Sequence, residues 1–325
     1  MPRGRLIALF ALLALIWSST WVAIKFGLEE TPALLGAGVR FTLAGLLLFA
    51  FALAGGRRLR TDARMAAILA LFPFALSYGL VYWGEQYIPS GLTAVLFGAL
   101  PLWVALIVPL MLPSEPITPG VVVAIVVAVA GLAVAFGESL SLGSEDRALL
   151  GALALLASPL SSAIGNVSLK VRAGDLDAIV LNAWGMLGGG VMLLAASALG
   201  ESWGDARWTP QAVAAIGYLA VAGTAVAFVG LTVLVRHVTA VTVSYISLVI
   251  PFGALVFGAV LYDEPITALS VLGAVLVGAG LYLAQRAQRQ AAAAQRRARP
   301  DDRAASATAV ATATATPSSS TDGTT

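Results

Sequence analysis

The chain has 325 residues, of which 59% are hydrophobic and 11% charged, and its mean hydropathy is +0.91. Soluble chains carry about 25% charged residues, so this composition excludes a water-soluble domain and places the protein in a bilayer. With no cysteine and a single histidine, His237, disulfides, thiolate metal sites and histidine-rich metal clusters are excluded too. The net charge of +2 matters less than where the cations lie.

A helix rising about 1.5 Å per residue needs about 20 apolar residues to cross about 30 Å of hydrocarbon. Ten such segments follow one another, at 6–27, 33–54, 65–87, 92–112, 120–136, 149–169, 178–199, 211–235, 239–262 and 268–285. The first begins like a signal peptide, with Arg3 and Arg5 ahead of an apolar stretch, but it continues through Trp17 and Val22 to Gly27 and reads as an uncleaved helix. Connections such as Glu29-Glu30-Thr31-Pro32, Gly55-Gly56-Arg57-Arg58 and Gly204-Asp205-Ala206-Arg207 are short, and none can hold a second domain. Beyond Gln285, an Ala/Gln/Arg stretch to Arg303 continues the last helix toward anionic headgroups. The Ala/Thr/Ser tract from Ala304 cannot bury surface and is expected to be disordered.

One stretch occurs twice. Glu115-Pro116-Ile117-Thr118 leads through an apolar run to Ala130-Gly131-Leu132, and Glu264-Pro265-Ile266-Thr267 leads without a gap to Ala279-Gly280-Leu281, with half of the paired positions identical. A unit this long is the two-fold repeat of a membrane transporter rather than of a solenoid. The expected organisation is a first repeat at 1–137, a second at 145–286 and a tail at 287–325. Five spans per repeat is an odd number, so the second copy enters the bilayer from the opposite side and the repeats are inverted. With the N-terminus in the cytoplasm, fifteen Lys and Arg residues fall inside and three, Lys25, Arg147 and Arg207, outside. That bias puts both termini in the cytoplasm. The fold class is therefore an all-α integral membrane protein of ten transmembrane helices in two inverted five-helix repeats.

Polar and helix-breaking residues inside the spans are the candidates for chemistry. Pro101 and Pro251 lie near the centres of the fourth and ninth segments, where each frees the carbonyl four residues earlier, of Phe97 and Ser247. Either is a packing kink taken singly, but their equivalent positions favour a cavity-lining pair. Arg40 lies about 10 Å below the outer surface by helix rise and needs a partner or water. Glu85 is the natural partner and the one carboxylate placed within a span. The pair reads as a dock for a substrate carboxylate or phosphate, as a gate, or as a structural ion pair. Lys25 reads as snorkelling to the outer headgroups.

Two stripes recur at helical spacing: Trp17, Trp21 and Lys25, and Ser158, Ser162, Asn166 and Lys170. Such a stripe faces protein or a cavity and serves equally for interhelical hydrogen bonds; simple packing is favoured for the serines and a cavity for Asn166. Tyr78, Tyr82 and Glu85 share a face, and Thr242, Tyr245 and Ser247 place hydroxyls ahead of Pro251. Gly185, Gly188, Gly189, Gly273 and Gly278 suit close helix packing.

The run Trp17-Ser18-Ser19-Thr20-Trp21-Val22-Ala23-Ile24-Lys25 resembles the first-helix signature of the EamA family in the drug/metabolite transporter superfamily. Val39-Arg40-Phe41, Gln86-Tyr87-Ile88-Pro89-Ser90-Gly91-Leu92 and the proline-to-acidic pattern of both repeats fit the same family, over about residues 6–285. The resemblance implies a ten-helix carrier around a central cavity that moves small organic molecules, often outward. Small four-helix relatives carry protons on a carboxylate of the first helix, and this first helix has none.

The expected function is secondary transport of small metabolites across the cytoplasmic membrane by alternating access, with export of amino acids or related amphipathic metabolites favoured and multidrug efflux as the alternative. The expected cavity residues are Trp17, Arg40, Tyr78, Tyr82, Pro101, Asn166, Tyr245, Ser247 and Pro251, with Glu85 and Arg40 as coupling or gating groups. A membrane enzyme would need a nucleophile with its base, or metal ligands, at membrane depth. A scaffold would need larger loops, and no phosphate-cradling glycine loop with its lysine is present. No cofactor, metal or nucleic acid is expected. The partners are a small-molecule substrate and lipid, and the glycine faces would serve a monomer or a homodimer equally.

Overall fold

The structure, a computed structural model, describes residues 1–111, 119–142, 147–172, 176–235, 237 and 246–298. Among these residues there are helices and short turns, with no strand. The chain runs through α1 (Arg3–Leu28), α2 (Ala33–Ala54), α3 (Ala63–Leu69), a π-helical segment π1 (Ala70–Ser77) and α4 (Tyr78–Glu85). It continues through α5 (Ser90–Phe97), α6 (Leu100–Met111), α7 (Pro119–Leu142), α8 (Ala148–Arg172) and α9 (Ala178–Gly200). The last part holds α10 (Pro210–Ala220), a second π segment π2 (Val221–Val226), α11 (Ala227–Val235), α12 (Ile246–Tyr262) and α13 (Ala268–Ala298). Seven helical stretches are long and apolar enough to cross a membrane. Shorter apolar helices, Ser90–Val104, Pro119–Ala135 and Val249–Tyr262, overlap the other three expected segments.

The helix starts follow local chemistry. Asp62 accepts from the amide of Met65, Asp177 from those of Ile179 and Val180, and Thr209 from that of Ala212 with Pro210 in the first turn.

The third and eighth segments are not regular helices. Pro73 lies in π1, where it removes a donor from the ladder. Neighbouring hydroxyls supply what is missing, because Ser161 Oγ donates to the carbonyl of Phe72 (2.7 Å) and Ser158 Oγ to that of Ser77 (3.0 Å). Ser162 Oγ adds a bond to Ser77 Oγ at 2.7 Å. In π2, Thr224 Oγ1 donates to the carbonyl of Leu219 at 2.8 Å. Irregular backbone at membrane depth is tolerated where such groups satisfy it.

Two expectations are corrected here. The fourth segment breaks at Gly98 and Ala99, so Pro101 stands at the start of α6 rather than in mid-helix. A proline fits there because the first-turn amides have no intrahelical acceptor. Helix α7 extends to Leu142 and carries Glu138, 3% exposed, which accepts from Thr267 Oγ1. Pro251, by contrast, lies inside α12 and is buried.

α2 packs along α9, and α7 along α13. Both pairs approach until backbone meets backbone: a Cβ at Gly190 would stand 2.6 Å from the amide of Thr42, and one at Gly131 would stand 2.7 Å from that of Val277. Without a hydrophobic force between helices in lipid, such small-residue contacts supply the association. Gly185, Gly188 and Gly189 likewise face Leu69, Ala70 and Phe74 of the third segment.

Arg57 ties the α2–α3 connection to the start of α9 by an ion pair with Asp177, the side chains being 28% and 33% exposed. Partial burial acts to raise the Asp177 carboxyl, but the Arg57 guanidinium and the Ile179 and Val180 amides outweigh it and hold the group below the usual carboxylate range. A depressed folded-state value means the contribution is complete above the unfolded value near about pH 4 and is lost as pH falls through the folded one. The thermal midpoint in detergent should therefore decline on acidification below about pH 4, and Asp177→Asn should flatten that decline.

Candidate functional site

α2 carries Arg40 inward, to 2% exposure. Its Nε donates to Thr224 Oγ1 at 3.2 Å and its Nη1 to the Tyr82 hydroxyl at 3.3 Å. The guanidinium carbon stands 5.0 Å from the Phe41 ring centre and 5.2 Å from that of Tyr78, within cation–π range. The bond of Thr224 back to Leu219 leaves its oxygen lone pair free for Arg40, so the π2 distortion creates this acceptor. No carboxylate pairs with Arg40 among the described residues, which corrects the expected Arg40–Glu85 bridge. A guanidinium has five N–H donors, and here it is held by neutral groups that leave its charge uncompensated by any ion pair.

Aromatic rings continue outward from Arg40. Phe41 meets Phe74 at 5.5 Å and Tyr78 at 4.6 Å, Phe74 meets Phe228 at 6.4 Å, and Phe228 meets Trp17 at 6.4 Å. Trp21 packs on Phe97 at 5.3 Å, and its buried indole N–H has no hydrogen-bond partner. The helices α1, α2, α4, α5 and α11 and the segment π1 thus bring Trp17, Arg40, Tyr78 and Tyr82 into one cluster.

A second polar group lies at the end of the bundle that holds the C-terminus of α1. Lys25 Nζ donates to the carbonyls of Glu85 (2.6 Å) and Ile88 (3.0 Å) instead of reaching out of the helix bundle. The Glu85 carbonyl ends α4 and carries the negative end of its dipole, that of Ile88 lies in the connection just beyond, and both suit a cation. Glu264 grips the same connection from the other side, accepting from Ser90 N (2.6 Å), Ser90 Oγ (2.9 Å) and Gly91 N (3.0 Å). It caps α5 across 174 residues of sequence. Asp263 just before it takes φ 53°, a left-handed turn that Asp tolerates. The Glu85 carboxylate is 0% exposed, and neither oxygen has a hydrogen-bond partner. Further links close this end: Tyr262 OH and Gln211 Nε2 donate to Glu29 at 2.7 and 2.9 Å, and Arg207 pairs with Glu30 at 3.0 Å.

Among the described residues, Asn166 does not join this cluster and is exposed. Tyr245 and Thr242 lie outside the described residues, as do the side chains of Pro101, Ser247 and Lys170. A lateral groove of about 650 Å³ opens between α1, α10 and α12, lined by Ser19, Phe26, Gln211, Tyr218 and Phe257 among others. None of the expected cavity residues lines it. Sequence reasoning missed Thr224, Phe228 and the Lys25 contacts. A threonine amid the apolar run of the eighth segment was the one visible signal.

The family model for EamA-like transporters matches the chain twice, over residues 5–137 and 149–285. This chain belongs to the EamA-like transporter family. The family member is 32% identical over 272 residues to the uncharacterized transporter YoaV of Bacillus subtilis, covering 83% of this chain and 92% of that one. It is 31% identical over 296 residues to the uncharacterized inner membrane transporter YedA of Escherichia coli K12, covering 85% and 91%. A solved crystal structure at 17% identity superposes with a TM-score of 0.65 over 89% of this EamA chain and 99% of the other, a likeness of fold. The protein is a multi-pass membrane transporter.

Proposed function

We propose that this EamA-family protein is a secondary carrier that exports amino acids, or metabolites with the same carboxylate and apolar side chain, across the cytoplasmic membrane by alternating access. The observation that carries the proposal is Arg40, 2% exposed and held by two hydroxyls and two ring faces with no acid paired to it among the described residues. A buried cation without an anion is costly in a membrane, and a substrate carboxylate would supply the missing charge through a bidentate contact. The unpartnered indole N–H of Trp21 adds a donor, and Trp17, Phe74 and Phe228 offer faces to an apolar side chain.

Ten helices in two inverted repeats give the carrier its two states. The twin family match supports the duplication. The contacts support it as well, because equivalent helices pair with each other (α2 with α9, α7 with α13), and α1 packs on α12 as α8 packs on α5 and α6. The distribution of Lys and Arg puts both termini inside. The Lys25 end then faces outward, and its closed links make this the outward-closed state. Rocking of one repeat against the other would open it.

The test is counterflow in proteoliposomes of the purified protein loaded with a mixed pool of amino acids. Uptake of particular labelled amino acids above that of protein-free vesicles is expected. A hydrophobic cation that exchanges while every amino acid fails would replace this reading with multidrug efflux.

A further inference from the structure

Three sequence signatures that lie far apart in the chain meet at the outer end. Lys25 ends the first, Gln86 to Leu92 forms the second, and Glu264 opens the Glu-Pro-Ile-Thr run. The connection at 86–89 is gripped by a cation on its carbonyl side and an anion on its amide side. Between the two grips lies Glu85, whose carboxylate no donor reaches.

Every charged group near Glu85 is committed elsewhere. Lys25 of α1 is spent on the backbone carbonyls of Glu85 and Ile88. Glu264, in the connection after α12, is fixed by three donors around the start of α5. Arg40 of α2 is spent on Thr224 and Tyr82, and Tyr82 on α4 itself takes part in that contact. From α8, Gly151 and Leu155 close on Gly84 with apolar and backbone atoms. A carboxylate in such a place has no hydrogen-bond donor among the described residues, whereas a carboxylic acid is neutral and needs less.

We infer that Glu85 is a proton-binding site that sets the outer latch. With its proton on, Glu85 rests among its neighbours, Lys25 stays on the two carbonyls and the outer face is shut. When the carboxyl loses its proton to the outer water, the Lys25 ammonium leaves the carbonyls for the new carboxylate. The 86–89 connection then loses one of its two grips, and the outer face opens. The inference rests on the orientation proposed above and is independent of the substrate.

The chain has no cysteine, so single-cysteine reporters carry no background. Val81→Cys places a thiol at a position 0% exposed, one turn inward of Glu85 on α4. Gly204→Cys, in an exposed connection on the same side, is the reference that cancels the pH dependence of the thiol itself. A membrane-impermeant maleimide is applied from outside, and the ratio of the two labelling rates is followed with pH. The ratio is expected to rise by at least about fivefold between about pH 6 and about pH 9. Glu85→Gln should keep it low and flat throughout, while Lys25→Met should raise it already at the acid end. A flat ratio in the protein with Glu85 and Lys25 intact overturns the inference without relying on any variant, and so does a rise that persists in Glu85→Gln. Because labelling needs no substrate, failure of amino-acid counterflow leaves this readout unaffected.

Discussion

Arg40→Met is expected to leave a folded protein whose amino-acid exchange is slowed about 10- to 150-fold, because a charged hydrogen bond is worth about 1.5–3 kcal/mol. Methionine keeps most of the volume among Phe41, Tyr78 and Tyr82. Replacing a buried charge by an apolar side chain of similar size is close to neutral for stability. The Tyr82 and Thr224 hydroxyl oxygens each lose a donor, and the Thr224 O–H keeps its acceptor at the carbonyl of Leu219. Arg40→Lys should recover part of the exchange, since it restores the charge without the planar fork. Exchange at the full rate in Arg40→Met would make Arg40 a packing element held by its aromatic neighbours.

Glu264→Ala should be the most destabilising single change at the outer end. It removes the acceptor from Ser90 N, Ser90 Oγ and Gly91 N together, at residues that are buried. Leaving a buried donor unsatisfied costs about 1–3 kcal/mol, and loss of a helix cap alone costs about 1 kcal/mol. A thermal midpoint lower than that of the parent protein by several degrees is the expected result, measured in detergent by tryptophan fluorescence or differential scanning. Glu264→Gln keeps one acceptor oxygen and should fall between the two. An unchanged midpoint in Glu264→Ala would mean that water replaces the cap.

Much of this architecture is legible in the sequence, for a physical reason. Lipid demands about 20 apolar residues per span and leaves no choice of secondary structure, so the segments at 33–54, 178–199 and 268–285 stand out unaided, and the structure has helices there. The inward placement of Arg40 follows from the cost of facing lipid. Its partners do not follow, because they depend on how far each helix is rotated about its axis, which hydropathy does not encode. Glu85 lies three residues past Tyr82 and looked like the partner of Arg40, yet Tyr82 and Thr224 take that place. Thr224 reaches Arg40 through a π-helical distortion that no composition rule announces. Lys25 looked like a snorkelling terminus, and only the arrival of the α4 carbonyls beside it turns it into a clasp. The serines at 158 and 162 were read as packing groups from their spacing alone, and both meet Ser77.

Carboxylate recognition by the buried Arg40 is open to test by altering the ligand. Counterflow should be measured with an exchanging amino acid, its amide and its decarboxylated amine, on the parent protein and on Arg40→Met. The parent protein should exchange the acid at least about tenfold faster than the other two, and Arg40→Met should treat all three alike. Equal exchange of acid, amide and amine by the parent protein would contradict it.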